Sequence, residues 1–79
     1  MQVTVHYFAI MREQTGLREE TVETDAPTPA DLLRELSERH AFTLEQDRLR
    51  VVVNEEFAPW SHPLNAGDAV AFIPPVAGG

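Results

Sequence analysis

The stretch Thr28-Pro29-Ala30-Asp31-Leu32-Leu33-Arg34-Glu35-Leu36 limits the possible folds most, because it specifies one amphipathic helix and marks where it starts. Thr28 is suited to the N-cap, Pro29 to the first helical position, and Asp31 completes a T-x-x-D capping box. Leu32, Leu33 and Leu36 make an apolar stripe, while Arg34, Glu35 and Glu38 face water. Arg39 and His40 stand at the C-terminal end, where positive charge complements the helix dipole. The stripe needs a surface to cover, and the rest of the chain reads mainly as strands.

Gln2 to Ile10 predicts a strand with Val3, Val5 and Tyr7 on one face and Thr4, His6 and Phe8 on the other. Met11 to Gly16 predicts a short helical turn closed by glycine. Leu17 to Thr24 resumes strand alternation, its acids Glu19, Glu20 and Glu23 reading as a solvated edge that resists strand addition. After the helix, Ala41 to Arg48 connects, with Phe42 and Leu44 tucked under the core. Leu49 to Asn54 is β-branched, with Leu49, Val51 and Val53 on one face. A turn through Asn54, Glu55 and Glu56 leads to Phe57 and Ala58. The turn-rich link from Pro59 to Gly67 then feeds a last strand, Ala69 to Ile73.

This order predicts an α+β fold, a mixed sheet of about five strands with one main helix on one face. A β-grasp, ubiquitin-like domain fits best, with the first and last strands as central neighbours. Residues 1–73 form that domain, and residues 74–79 a flexible tail leaving the end of the last strand.

Within 79 residues the chain holds 43% hydrophobic and 24% charged residues, the balance of a folded globular domain. It has no cysteine, which excludes a thiolate nucleophile, a disulfide staple and a Cys-ligated metal. It has six arginines but no lysine, which excludes side-chain Schiff-base chemistry. A net charge of −7 argues against nucleic acid and towards basic surfaces on partners. No stretch approaches a membrane span and the N-terminus lacks signal-peptide character, so the expected location is the cytoplasm.

Pro74-Pro75-Val76-Ala77-Gly78-Gly79 ends the sequence. Two prolines favour extended backbone and hold the tail off the body. Two glycines make an end narrow enough to thread a tunnel that would exclude side chains. At about 7% glycine, a chance Gly-Gly end arises roughly once in 200 chains. The terminal carboxylate of Gly79 is therefore the candidate reactive group. Adenylation by ATP would make it an electrophile; a sulfur donor would then give a thiocarboxylate, and an amine an isopeptide.

The body offers no competing site. His6, His40 and His62 lack ligand-like spacing, so no metal is expected. Glu19-Glu20 and Glu55-Glu56 are adjacent rather than opposed, and neither Ser37 nor Ser61 has a nucleophile's setting. What remains is a patch. If Val70 and Phe72 face the helix, Ala71 and Ile73 face away, and so does Phe8. With Phe57 they form an apolar surface beside the tail, the mark of a partner interface.

Phe8-Ala9-Ile10-Met11-Arg12-Glu13 resembles the F-A-x-x-R-E segment of MoaD, the small subunit of molybdopterin synthase. Val53-Asn54, His62-Pro63-Leu64, Gly67-Asp68, Val70-Ala71-Phe72 and the P-P-V-x-G-G ending resemble that family's C-terminal half in order and spacing. Ala66 departs from it, standing where acidic residues are common.

The resemblance implies a β-grasp sulfur carrier that binds no cofactor. Gly79 would be adenylated by a MoeB-like enzyme that consumes ATP, then converted to a thiocarboxylate by a sulfur donor. Gly78 would let the tail thread into a MoaE-like large subunit, giving a heterotetramer that transfers sulfur to cyclic pyranopterin monophosphate. Phe8, Phe57, Ile73, Pro74, Pro75 and Val76 would form the partner interface. The small subunit would not be an enzyme on its own. Three other readings stay open: a sulfur carrier for thiamine, tRNA thiolation or cysteine synthesis; a ubiquitin-like protein modifier; and a plain binding domain.

Overall fold

The computed structural model describes residues 1–75. Five strands form one sheet in the order β2-β1-β5-β3-β4, from β1 (Gln2–Tyr7), β2 (Glu19–Glu23), β3 (Arg50–Val53), β4 (Glu56–Ala58) and β5 (Ala69–Ile73). The first and last strands are the central neighbours and run parallel, with Val5 beside Val70 and Tyr7 beside Phe72. The other three pairings are antiparallel. This is the predicted β-grasp arrangement.

Alternation sorts the faces as the sequence implies. Val3, Val5, Tyr7, Val22, Val51, Val53, Val70 and Phe72 are buried, and they share one cluster with Leu32, Leu33 and Leu36 of α2 (Pro29–Arg39). Phe42 and Leu44 pack against that cluster from the connecting loop, and Trp60 stacks on Phe72 with ring centroids 5.9 Å apart. The cap forms as read: Thr28 Oγ1 accepts from the Asp31 backbone N–H at 3.3 Å and donates to the Asp31 carboxylate at 2.6 Å.

One boundary differs. The first strand stops at Tyr7, and Ala9 and Ile10 open a helix, α1 (Ala9–Thr15), that buries Met11. Apolar alternation through Phe8-Ala9-Ile10 imitates a continuing strand. The run Ala-Ile-Met-Arg-Glu-Gln is instead mostly strong helix formers, and the chain turns sharply into it with Ala9 at φ 51°. Gly16, in the left-handed region at φ 75°, closes α1 by donating its N–H to the Arg12 carbonyl.

Candidate functional site

The root of the tail is set by the middle of the sheet. β5 is paired on both sides, to β1 as far as Phe72 and to β3 as far as Ile73, so the strand that leads into the tail is held in the middle of the sheet. Proline offers no N–H to a ladder, so pairing stops at Pro74. Pro74 is buried and Pro75 exposed. Pro74, where the sequence reading starts the tail, is thus covered by the body, and Pro75 is the first exposed residue after β5.

Ile73, Pro74 and Pro75 form a ridge between two clefts. One is lined by Phe8, Ile10, Glu13 and Leu44. The other is lined by Arg48, Leu49, Arg50 and Phe57. The three residues predicted as a patch thus meet at the ridge: Ile73 is half-buried, while Phe8 is 47% and Phe57 68% exposed. Register extends the patch. Ala71 lies beside His6 on one side and Val52 on the other, and Val52 lies beside Phe57. Val52 and Ala71, both half-buried, bridge the aromatic residues across the sheet face away from the helix.

Two connections hold this face in place. Asn54 and Glu55, with φ of 49° and 72°, form a two-residue turn with both centres left-handed, the geometry that joins β3 to β4. The Asn54 amide then donates to Asp68 at 2.9 Å, and its carbonyl oxygen accepts from the Ala69 N–H at 2.9 Å. Asp68, buried, also accepts from the Asn65 N–H at 2.8 Å. The start of β5 is fixed by this clamp.

A second polar cluster lies on the core side. The Tyr7 hydroxyl donates to Glu20 Oε2 at 2.6 Å, and His40 Nε2 lies 3.0 Å from the same oxygen. The rings of Tyr7, His40 and Phe42 pack edge to face or tilted, 5.6 to 6.1 Å apart. Burial opposes ionisation of Glu20, but the hydrogen bonds from Tyr7 and His40 outweigh it and hold the carboxyl below the usual range. Burial, with the Glu20 hydrogen bond, pushes the Tyr7 hydroxyl up.

Reading Glu20 as part of a solvated edge is therefore wrong, as is reading His40 as only a helix end. Val22 faces the core, so alternation alone turns Glu20 inward two residues earlier, and a buried tyrosine hydroxyl needs an acceptor. Glu19 and Glu23 are exposed as expected.

Val76, Gly78 and Gly79 lie outside the described residues. Among the described residues no three His, Cys, Asp or Glu side chains are grouped to hold a metal, and no helix is long and apolar enough to cross a membrane. The body thus contributes a centrally paired last strand and an apolar face.

Comparison with known proteins gives this arrangement a lineage. The ThiS family matches residues 5–79. The molybdopterin synthase sulfur carrier subunit of Escherichia coli (strain K12) is 40% identical over 80 residues, covering 98% of this chain and 99% of that protein. SAMP1 from Haloferax volcanii superposes with a TM-score of 0.83 at 29% identity, each chain covered completely. Subunit 1 or 2 of a molybdopterin-converting factor complex from Helicobacter pylori 26695 shares the fold, with a TM-score of 0.71 at 21% identity and full coverage of both chains. From Val5 to the last glycine, then, this chain belongs to the ThiS family, and it is homologous along its length to molybdopterin synthase sulfur carrier subunits.

Proposed function

We propose that this chain is the sulfur carrier subunit of a molybdopterin synthase, with the Gly79 carboxylate as the group that is loaded. The observation that carries the reading is end-to-end homology to such carriers, joined to a tail root set between two clefts, one mostly apolar and one that also carries Arg48 and Arg50. In the first step the carboxylate attacks the α-phosphate of ATP on a MoeB-like enzyme, releasing pyrophosphate and leaving an acyl adenylate. A sulfur donor then displaces AMP, and the chain ends in a thiocarboxylate. The chain supplies no catalytic side chain to either step; its contribution is presentation.

The loaded tail then enters a MoaE-like large subunit, and two such carriers and two large subunits assemble into a heterotetramer. Phe8, Phe57, Ile73, Pro74, Pro75 and Val76 form the contact. Sulfur passes to cyclic pyranopterin monophosphate, and two deliveries complete the dithiolene. A protein-modifier role is the second reading, favoured by the superposition on SAMP1, the small archaeal modifier protein 1 of Haloferax volcanii.

Reconstitution tests the recipient. Thiocarboxylated chain, the large subunit from the same organism and the pterin precursor should yield the dithiolene product with stoichiometric loss of carrier sulfur. Retention of the sulfur, with lysine conjugates appearing on other proteins instead, would favour the modifier role.

A further inference from the structure

Charge is distributed unevenly about the tail root. The chain carries 13 acidic residues against six arginines, yet two of those six, Arg48 and Arg50, line the cleft on the β3 side of the Ile73-Pro74-Pro75 ridge. Glu13 lines the cleft on the other side. Arg50 lies directly beside Ile73 in the ladder, and its guanidinium carbon is 5.2 Å from the centroid of Phe57. Both arginines are exposed. Among the described residues the arginine ion pairs are Arg34 with Asp31 and Arg39 with Glu35, and neither Arg48 nor Arg50 has a carboxylate partner. Asp47 shares the cleft without pairing to either.

A guanidinium lying over an aromatic ring is held by its face, which leaves its edge N–H groups free for a planar, two-pronged acceptor. Arg12 and Arg18 are also exposed, but neither lines a cleft at the tail root, so beside the ridge such an acceptor finds its cations only on the β3 side. We propose that Arg50, held over Phe57 and assisted by Arg48, is a docking residue that takes a carboxylate from the protein receiving the tail, and so fixes the orientation in which the tail enters. The proposal rests on the reading of the tail root as the docking point. It adds the partner's chemistry there: an apolar mouth with an Asp or Glu on the side facing β3, and none facing Glu13. Once the apolar face is covered, the pair is shielded from water and strengthened. Before contact, the same charge steers the approach.

The test uses the purified large subunit from the same organism and measures association and dissociation rates at low and high salt. Wild type, Arg50→Glu, Arg50→Lys and Arg48→Glu are compared, with folding of each checked by thermal melting. Arg50→Glu should raise Kd at least tenfold at low salt, mostly through slower association. The deficit should shrink as salt screens the charge. Arg50→Lys should recover part of the loss, and Arg48→Glu should weaken binding in the same salt-dependent way. Wild-type rates and salt slope for both glutamate variants would overturn the proposal, as would a deficit that salt leaves unchanged. Absence of wild-type binding would overturn the reading beneath it as well. Wild-type binding with an indifferent Arg50→Glu removes the proposal alone.

Discussion

Replacing Phe57 by alanine should separate binding from folding. A phenylalanine presents on the order of 200 Å², and with Phe57 68% exposed roughly 130 Å² remains for a partner to cover. At about 25 cal/mol per Å² this is worth at most about 3 kcal/mol, on the order of a hundredfold in Kd. In the free chain the ring holds only partial packing and the contact with Arg50, worth about 0.5–1 kcal/mol at an exposed site. Phe57→Ala should therefore cost about 1 kcal/mol of stability while weakening the large subunit's grip by one to two orders of magnitude. Phe72 is the control. It is fully buried, and its truncation should cost about 3–5 kcal/mol, much of the stability a small domain has. Denaturant melts give the first quantity, and titration calorimetry with the large subunit the second. Wild-type affinity for Phe57→Ala, or a loss of stability matching Phe72→Ala, would refute this division between face and core.

Three further perturbations follow from the polar and strained positions. Glu20 has a folded pKa below its unfolded value of about 4.3. Its contribution is therefore present above that pH and lost as pH falls through the folded value. Glu20→Gln should lower stability near neutral pH by about 1–2 kcal/mol, and it should flatten the loss of stability below pH ~4 in urea melts. The raised Tyr7 pKa acts at the other end: its contribution is present below about pH 10 and lost above, so Tyr7→Phe should flatten the alkaline limb. Glu55 occupies a left-handed turn position at φ 72°, and Glu55→Gly should stabilise by about 0.5–1 kcal/mol. In a domain of this size that is a rise of several degrees in melting temperature, and a fall would show that Glu55 makes a compensating contact.

The fold was legible because its signals agree at each level. The cap at Thr28, the leucine stripe and the alternation of Val3, Val5, Val70 and Phe72 all specify the same helix-on-sheet packing. Ile73 was legible for the same reason, since alternation fixes which face a strand residue takes; Phe8 reaches that face from the N-cap of α1, one residue past β1. What alternation could not reveal was where a strand stops: Ala9 and Ile10 continue the apolar pattern but belong to α1. Nor could charge alone distinguish Glu20, turned inward to Tyr7 and His40, from its exposed neighbour Glu19. The burial of Pro74 depends on what the fold packs around the end of β5, so no local pattern announces it.

The claim at the centre of this account is that the chain's own C-terminus is the reactive group. Intact mass spectrometry tests it most directly, after incubation with ATP, a MoeB-like activating enzyme and a sulfur donor, for the wild-type chain and a form lacking Gly79. The expected result is the mass increment of one sulfur replacing one oxygen, in the wild-type chain only. An unchanged mass with an enzyme shown to be active on another carrier, or the same increment in the form lacking Gly79, would contradict it.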